Sequence, residues 1–237
     1  MNTIMRESWN NRAQQYARRM DKLMNALEYQ QQWQQKLQAL LGNKQELQIL
    51  DAATGSGFLA IHLAQLGHRV TGLDFSEEML RIAELRAKSM GLDCSFVYGF
   101  AEDLPFHAEQ FDVMVCRNLL GSLSDSRQAV FMEWRRVLKS GGRVLIWDGD
   151  WTARNLFPFA QSQLSSGRKP HRQAKIKRQG IIKRNPYSSL LYNDVALELE
   201  AAGFINMTAC DKETKLMHGL QEAKLQCEPL FISAQKP

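Results

Sequence analysis

The sequence predicts an α/β protein: a doubly wound, seven-stranded, mostly parallel sheet with helices on both faces and the last strand antiparallel. Three observations carry that expectation. From about residue 47, short apolar runs alternate with amphipathic stretches of helical length, which implies right-handed crossovers between parallel strands. A glycine loop, Gly55-Ser56-Gly57, separates the first run from the first of these helices. Two late runs, "FINMTACD" and "PLFISAQK", follow the final helix and suit an antiparallel pair at the sheet edge.

The elements follow in order. Residues 4–20 and 23–41 read as two N-terminal helices. The second carries Leu27, Trp33, Leu37, Leu40 and Leu41 at roughly helical spacing and ends at Gly42 and Asn43. "LQIL" (47–50) is the first strand, "FLAIHLAQLG" (58–67) a helix closed by Gly67, and "RVTGLD" (69–74) the second strand. In "SEEMLRIAELRAKSMG" (76–91), Ser76 suits the N-cap, Glu77 and Glu78 suit the positive end of the helix, and Gly91 ends it. "CSFVYG" (94–99) and "FDVMVC" (111–116) are the third and fourth strands. Residues 124–142 read as a helix capped by Ser124 or Asp125, with Val130, Phe131, Trp134, Val137 and Leu138 as its apolar stripe and Gly141-Gly142 as the exit turn. "RVLIWD" (143–148) is the fifth strand. "FPFAQSQLSSG" suggests a short helix, and residues 188–203 read as a helix ending at Gly203.

At 237 residues, 44% apolar and 23% charged, the chain suits one domain with a real core. Its expected parts are an N-terminal helical cap (1–44), a ligand-binding core (45–150), a basic excursion (151–190) and a C-terminal helix with edge strands (191–237). The polar, acid-containing N-terminus lacks the apolar centre of a signal peptide, and no apolar run approaches the ~20 residues that span a bilayer. The expectation is therefore a cytoplasmic protein. Cys94, Cys116, Cys210 and Cys227 have no CxxC spacing and read as reduced thiols, with no metal expected. Net charge is +5, yet residues 151–193 hold nine basic and no acidic residues, which leaves −4 for the rest. The basicity belongs to one segment.

Gly55-Ser56-Gly57-Phe58-Leu59-Ala60 fits G-x-G-x-x-[GA], and Asp74 follows Gly55 by 19 residues at the end of the second strand. That order matches a nucleotide-binding fingerprint in which the acid binds ribose hydroxyls. Asp51 chooses between nucleotides. A pyrophosphate at the helix N-terminus wants N–H donors and cations, whereas this loop offers a carboxylate at its mouth and no Lys or Arg. A nucleoside bearing a cationic amino acid and sulfonium fits better, which describes S-adenosylmethionine.

Three blocks in order, "ILDAATGSGFLAIHLAQLGHRVTGLDFSEEML", "YGFAEDLPFHAEQFDVMVC" and "EWRRVLKSGGRVLIWDGDW", make residues 47–149 resemble the class I S-adenosylmethionine-dependent methyltransferases, in particular the ubiquinone/menaquinone-biosynthesis-like branch. The resemblance implies a Rossmann-like fold, S-adenosyl-L-methionine as cofactor, and methyl transfer as activity. It places Asp51, Ala53, Gly55 and Gly57 around the methionine moiety, Asp74 at the ribose and Phe75 against the adenine. Ala101 and Glu102 fall near the adenine edge, Arg117 near the amino-acid end, and Tyr16 in a helix capping the cofactor. Two positions depart from the family pattern: Ala53 stands where glycine is usual, and Phe100 where an aspartate usually accepts from the adenine amino group. Glu102 or Asp103 is then the expected substitute.

Methyl transfer from a sulfonium is an in-line displacement, so alignment supplies much of the catalysis and no fixed catalytic signature is expected. A base is needed only where the acceptor loses a proton. Asp148, Asp150, His107 and Tyr16 are the candidates, and Asn118, Leu119 and Trp151 are candidate acceptor contacts. The basic residues of 168–184 suit an anionic acceptor, a nucleic-acid backbone or an acidic protein surface. Few aromatics are interleaved with them, so a small-molecule acceptor ranks ahead of RNA. Membrane docking toward a lipid-like quinone, a non-catalytic cofactor-binding protein and an NAD-dependent dehydrogenase are the other readings carried forward.

Overall fold

The computed structural model describes residues 3–44, 46–123, 127–148, 192–209 and 230–237. Its helices are α1 (Thr3–Met24), α2 (Leu27–Leu41), α3 (Phe58–Gln65), α4 (Glu77–Ser89), α5 (Arg127–Val137) and α6 (Tyr192–Ala201). Its strands are β1 (Gln48–Ala52), β2 (Arg69–Asp74), β3 (Cys94–Tyr98), β4 (Phe111–Arg117), β5 (Leu138–Asp148), β6 (Ile205–Ala209) and β7 (Leu230–Gln235).

The seven strands form one sheet in the order β3-β2-β1-β4-β5-β7-β6. The first five are parallel, and β7 runs antiparallel to both β5 and β6. The expected Rossmann-like, mostly parallel, seven-stranded fold is therefore present. Parallel strands are covered on both faces, and Val113–Cys116 of β4 and Val144–Trp147 of β5 are continuously apolar for that reason. Alternate residues serve opposite faces. Leu50, Met114, Val144 and Ile146 pack with Val130, Phe131 and Trp134 of α5 and with Val195 and Leu199 of α6. Ile49, Val113, Val115, Leu145 and Trp147 pack with Trp33 and Leu37 of α2 and with Phe58 and Ile61 of α3. Among the described residues no helix is long and apolar enough to cross a membrane.

Several boundaries differ from expectation. α1 does not stop at residue 20, because its buried stripe continues through Ala13, Ala17, Met20 and Met24. Leu27 is 72% exposed, and the buried face of α2 is instead Tyr29, Trp33, Leu37 and Leu41. Residues 138–142, read above as helix end and turn, already belong to β5: Leu138 pairs with Phe111 before the register shifts and Arg143 pairs with Val113. The Ser124 or Asp125 cap, the short helix after Trp151 and the basic excursion lie outside the described residues.

Chain direction along the sheet reverses between β1, which leads out to β2 and β3, and β4, which leads to β5. Ligands of such sheets bind beyond the carboxyl ends of the strands at that reversal. Asp51, Ala53, Arg117 and Asn118 stand there.

Candidate functional site

The loop from β1 to α3 is shaped by left-handed backbone. Ala53, Gly55 and Gly57 have φ of 57°, 54° and 83°. Gly57 caps α3, and a Cβ on it would lie 3.0 Å from the Ala83 Cβ, so it brings α3 against α4. Gly55 has room on that side, the nearest atom to such a Cβ being Tyr16 Cε1 at 3.8 Å. Ala53 carries a Cβ in a conformation that costs an L-residue about 1–2 kcal/mol. Ala53→Gly relieves that strain and loses part of the gain to chain entropy. The expected net is about 0.5 kcal/mol of stabilisation and a melting temperature about 1–2 °C higher, read by thermal denaturation.

Two carboxylates hold the loop. Asp51, 2% exposed, accepts from Thr54 Oγ1 at 2.7 Å and from the Ala60 backbone N–H at 3.1 Å. Asp74, 7% exposed, accepts from the Gly55 N–H and the Ser76 N–H, both at 2.8 Å. Burial pushes Asp51 up to about 7, despite the hydrogen bonds and the Arg117 charge that pull it down, and nearby Asp74 pushes the same way. Burial likewise pushes Asp74 up to about 6, against the backbone N–H groups it accepts from.

These shifts set a pH dependence. The folded chain holds these protons where the unfolded chain, with carboxyls near 3.8, has released them. Their contribution to stability is complete below about pH 4 and is lost as pH rises through about 6 and then about 7. The melting temperature of the ligand-free protein is expected to fall between about pH 5 and pH 8. A bound cation next to Asp51 is expected to flatten that fall, as thermal melts at each pH will read.

Arg117, the last residue of β4, supplies the opposite charge. Its guanidinium lies 4.2 Å from the Phe58 ring centroid and 5.9 Å from that of Trp33, and Nη2 donates to the Met20 sulfur at 3.1 Å. Burial works against its charge, but Tyr16 and Tyr29 beside it hold its pKa above the usual value. A buried carboxylate, Asp51, and a half-buried cation, Arg117, thus stand on adjacent strand ends.

α1 lies over this loop, and its attachments were not legible in sequence. Arg86 of α4 donates to the Ser56 carbonyl at 2.7 Å, to the Ala17 carbonyl at 2.8 Å and to Asp21 at 2.6 Å, tying helix and loop together. Asn10 accepts from Ser76 Oγ at 2.6 Å, while that hydroxyl caps α4 by accepting from the Met79 N–H at 3.3 Å. The only sequence signal for either was a polar residue on an otherwise ordinary helix face.

The remaining candidates divide. Phe75 stands just past β2, and Ala101 and Glu102 occupy the turn after β3. Asn118 takes a left-handed φ of 62°, which asparagine tolerates, and its N–H donates to the Trp147 carbonyl at 2.8 Å. Leu119 is buried in the core. Asp148 ends β5 near the site, but it is buried and accepts from the Leu120 N–H at 2.6 Å, which gives it a structural task. His107 is a correction. It is exposed and lies four residues before β4 begins, and Gln110, in the same turn, donates to the Val137 carbonyl at the foot of β5. That is the amino end of the strands, opposite the loop, so His107 cannot serve chemistry there. Asp150 and Trp151 lie outside the described residues.

The residues fit an adenosyl amino acid. A carboxylate paired with a cation suits a zwitterionic α-amino acid group, Asp74 retains acceptor capacity for hydroxyls, and aromatic rings lie beyond it. Comparison with known proteins agrees. A methyltransferase-domain family matches residues 49–142. The chain is 35% identical over 145 residues to a ubiquinone/menaquinone biosynthesis C-methyltransferase of Desulfotalea psychrophila, a stretch covering 60% of this chain and 57% of that one. The chain spans about half the length of the curated relatives it matches. A methyltransferase structure from Aquifex aeolicus superposes with a TM-score of 0.61 at 18% identity, over 86% of this chain and 89% of that one. The [4+2]-cyclase SpnF does so with 0.59 at 18%, over 85% and 81%. At such identities the two structures speak for the fold alone. Residues 49–142 thus match a methyltransferase domain, and the chain is similar there to the ubiquinone/menaquinone-biosynthesis methyltransferases.

Proposed function

We propose that the protein binds S-adenosylmethionine and transfers its methyl group to a small-molecule acceptor. The observation that carries this reading is the buried Asp51 with the half-buried Arg117 close enough to act on its charge, at the mouth of a glycine loop without a Lys or Arg of its own. When bound, the cofactor supplies a methyl group activated on a sulfonium. The protein's part is to hold and align. Asp51 would face the ammonium and Arg117 the carboxylate, the backbone of Ala53 to Gly57 would allow close approach, and Asp74 would accept from the ribose. Tyr16 would close the site from α1 and exclude water. Where the acceptor loses a proton, Tyr16 is the favoured candidate base, since an Asp148 oxygen already serves the Leu120 N–H.

The small-molecule acceptor draws on the quinone-biosynthesis role in the relative's name, and its anionic character on the basic residues of 168–184, which lie outside the described residues. The same segment underlies the RNA reading, which expects RNA binding with a steep salt dependence. A cytoplasmic location belongs to the methyl-transfer reading. The division into a cap, a core, an excursion and a C-terminal part belongs to the same reading.

A second reading, binding without methyl transfer, rests on Phe100, which stands where the resembled family usually has an aspartate. Two measurements separate these. S-adenosylhomocysteine should raise the melting temperature and NAD should not; the reverse result overturns the cofactor assignment. Label passing from methyl-labelled S-adenosylmethionine into an added demethylated quinone supports transfer. Binding without label passing to quinone, RNA or any other acceptor tried favours the second reading.

A further inference from the structure

Asp74 pairs with Tyr98 across β2 and β3, and the Gly99 N–H donates to the Asp74 carbonyl at 3.1 Å, so the two strands end together. A Cβ on Gly99 would lie 2.8 Å from Leu73, so glycine lets the chain turn tightly there. The turn sets the Phe100 ring nearly parallel to that of Phe75, with an interplanar angle of 10° and centroids 6.3 Å apart. Tyr98 meets Phe100 edge-on at 5.8 Å, and Arg6 of α1 reaches the Tyr98 hydroxyl at 3.5 Å. Backbone pairing of Phe100 with Asp103 fixes the turn, and Asp103 itself is exposed. An aromatic wall therefore stands one residue beyond the ribose acid, where the base of a bound nucleoside must lie.

We propose that Phe100 sets base specificity at this site, gripping a purine through its face and leaving its exocyclic edge unread by side chain 100. The inference rests on the cofactor reading above. Aromatic stacking tolerates a change at the purine edge because every base has a π face, whereas a side chain that hydrogen-bonds the edge rejects an analogue lacking the partner. The site should therefore accept an oxo group in place of the amino group at purine C6.

Calorimetric titration with S-adenosylhomocysteine and S-inosylhomocysteine tests this. The two should bind the wild-type protein within about 5-fold of each other, and Phe100→Asp should widen the preference for the amino compound to about 30-fold or more. Phe100→Leu should weaken both about equally while leaving the circular dichroism spectrum unchanged. A wild-type preference above about 30-fold, abolished by Glu102→Gln, overturns the proposal and assigns edge reading to Glu102. The same preference surviving that change overturns it in favour of backbone reading. Binding of neither compound by the folded protein overturns the cofactor reading itself and is distinct from every other outcome.

Discussion

Asp51→Asn is expected to move two properties in opposite directions: the ligand-free protein melts higher at pH 8, and S-adenosylmethionine binds about 10- to 100-fold more weakly. Asparagine keeps an oxygen to accept from Thr54 and Ala60. It removes a charge that burial penalises enough to push the carboxyl up to about 7, so the fold gains above that pH. The ligand loses a charge-assisted hydrogen bond, worth about 1.5–3 kcal/mol, and a factor of ten costs about 1.4 kcal/mol. Melts at pH 8 together with calorimetry read both effects. Unchanged affinity would show that Asp51 only braces the loop.

Gly55→Asp is expected to abolish binding while leaving a folded protein. A Cβ at this position meets nothing closer than Tyr16 at 3.8 Å, and aspartate tolerates the φ of 54° better than most residues. The new side chain would project into the gap between loop and cap helix and add a third carboxylate beside Asp51 and Asp74. A loss of about 100-fold or more is expected, because an unpaired charge in a confined site is costly. Gly57→Ala fails differently, since its Cβ would stand 3.0 Å from the Ala83 Cβ and cost about 1–3 kcal/mol of stability. Circular dichroism and titration of the two variants separate a blocked site from a damaged fold. Binding retained by Gly55→Asp would mean that the ligand enters elsewhere.

The sheet was legible because its central strands carry apolar runs and several of its turns carry glycine. β2 matches the expected residues 69–74 in full, and Ser76 caps α4 as read. The limits lay where one residue type serves two geometries. "LKSGG" suits the end of a helix, yet Leu138 pairs with Phe111, and tertiary pairing won. Leu27 is apolar but on the wrong side of α2, a choice that Tyr29 and Trp33 settle by packing with Phe58. At the site, Asp51 and Asp74 could be named from motif order, because their role depends on strand ends. Arg86 and Asn10 could not, because each acts on an element about 65 residues away in sequence. His107 was misplaced because "LPFHAEQFD" does not reveal that the chain has already descended to the foot of β4.

The strand order also bears on how the chain acquires its shape during synthesis. β6 leaves the ribosome before β7, yet β7 is the strand that links it to the sheet. About twenty residues separate Ala209 from Leu230, so among the described strands β6 emerges with no partner and β5 with a bare edge. The parallel half, from β1 to β5, can assemble as its crossovers appear, whereas the antiparallel half closes only when residues 230–235 arrive. A nascent chain halted before residue 230 would display the edge of β5, an apolar strand bounded by Val144, Leu145 and Ile146, to any neighbouring chain. The final strand is thus a latch, and the interval before it closes is when the molecule is most exposed to aggregation.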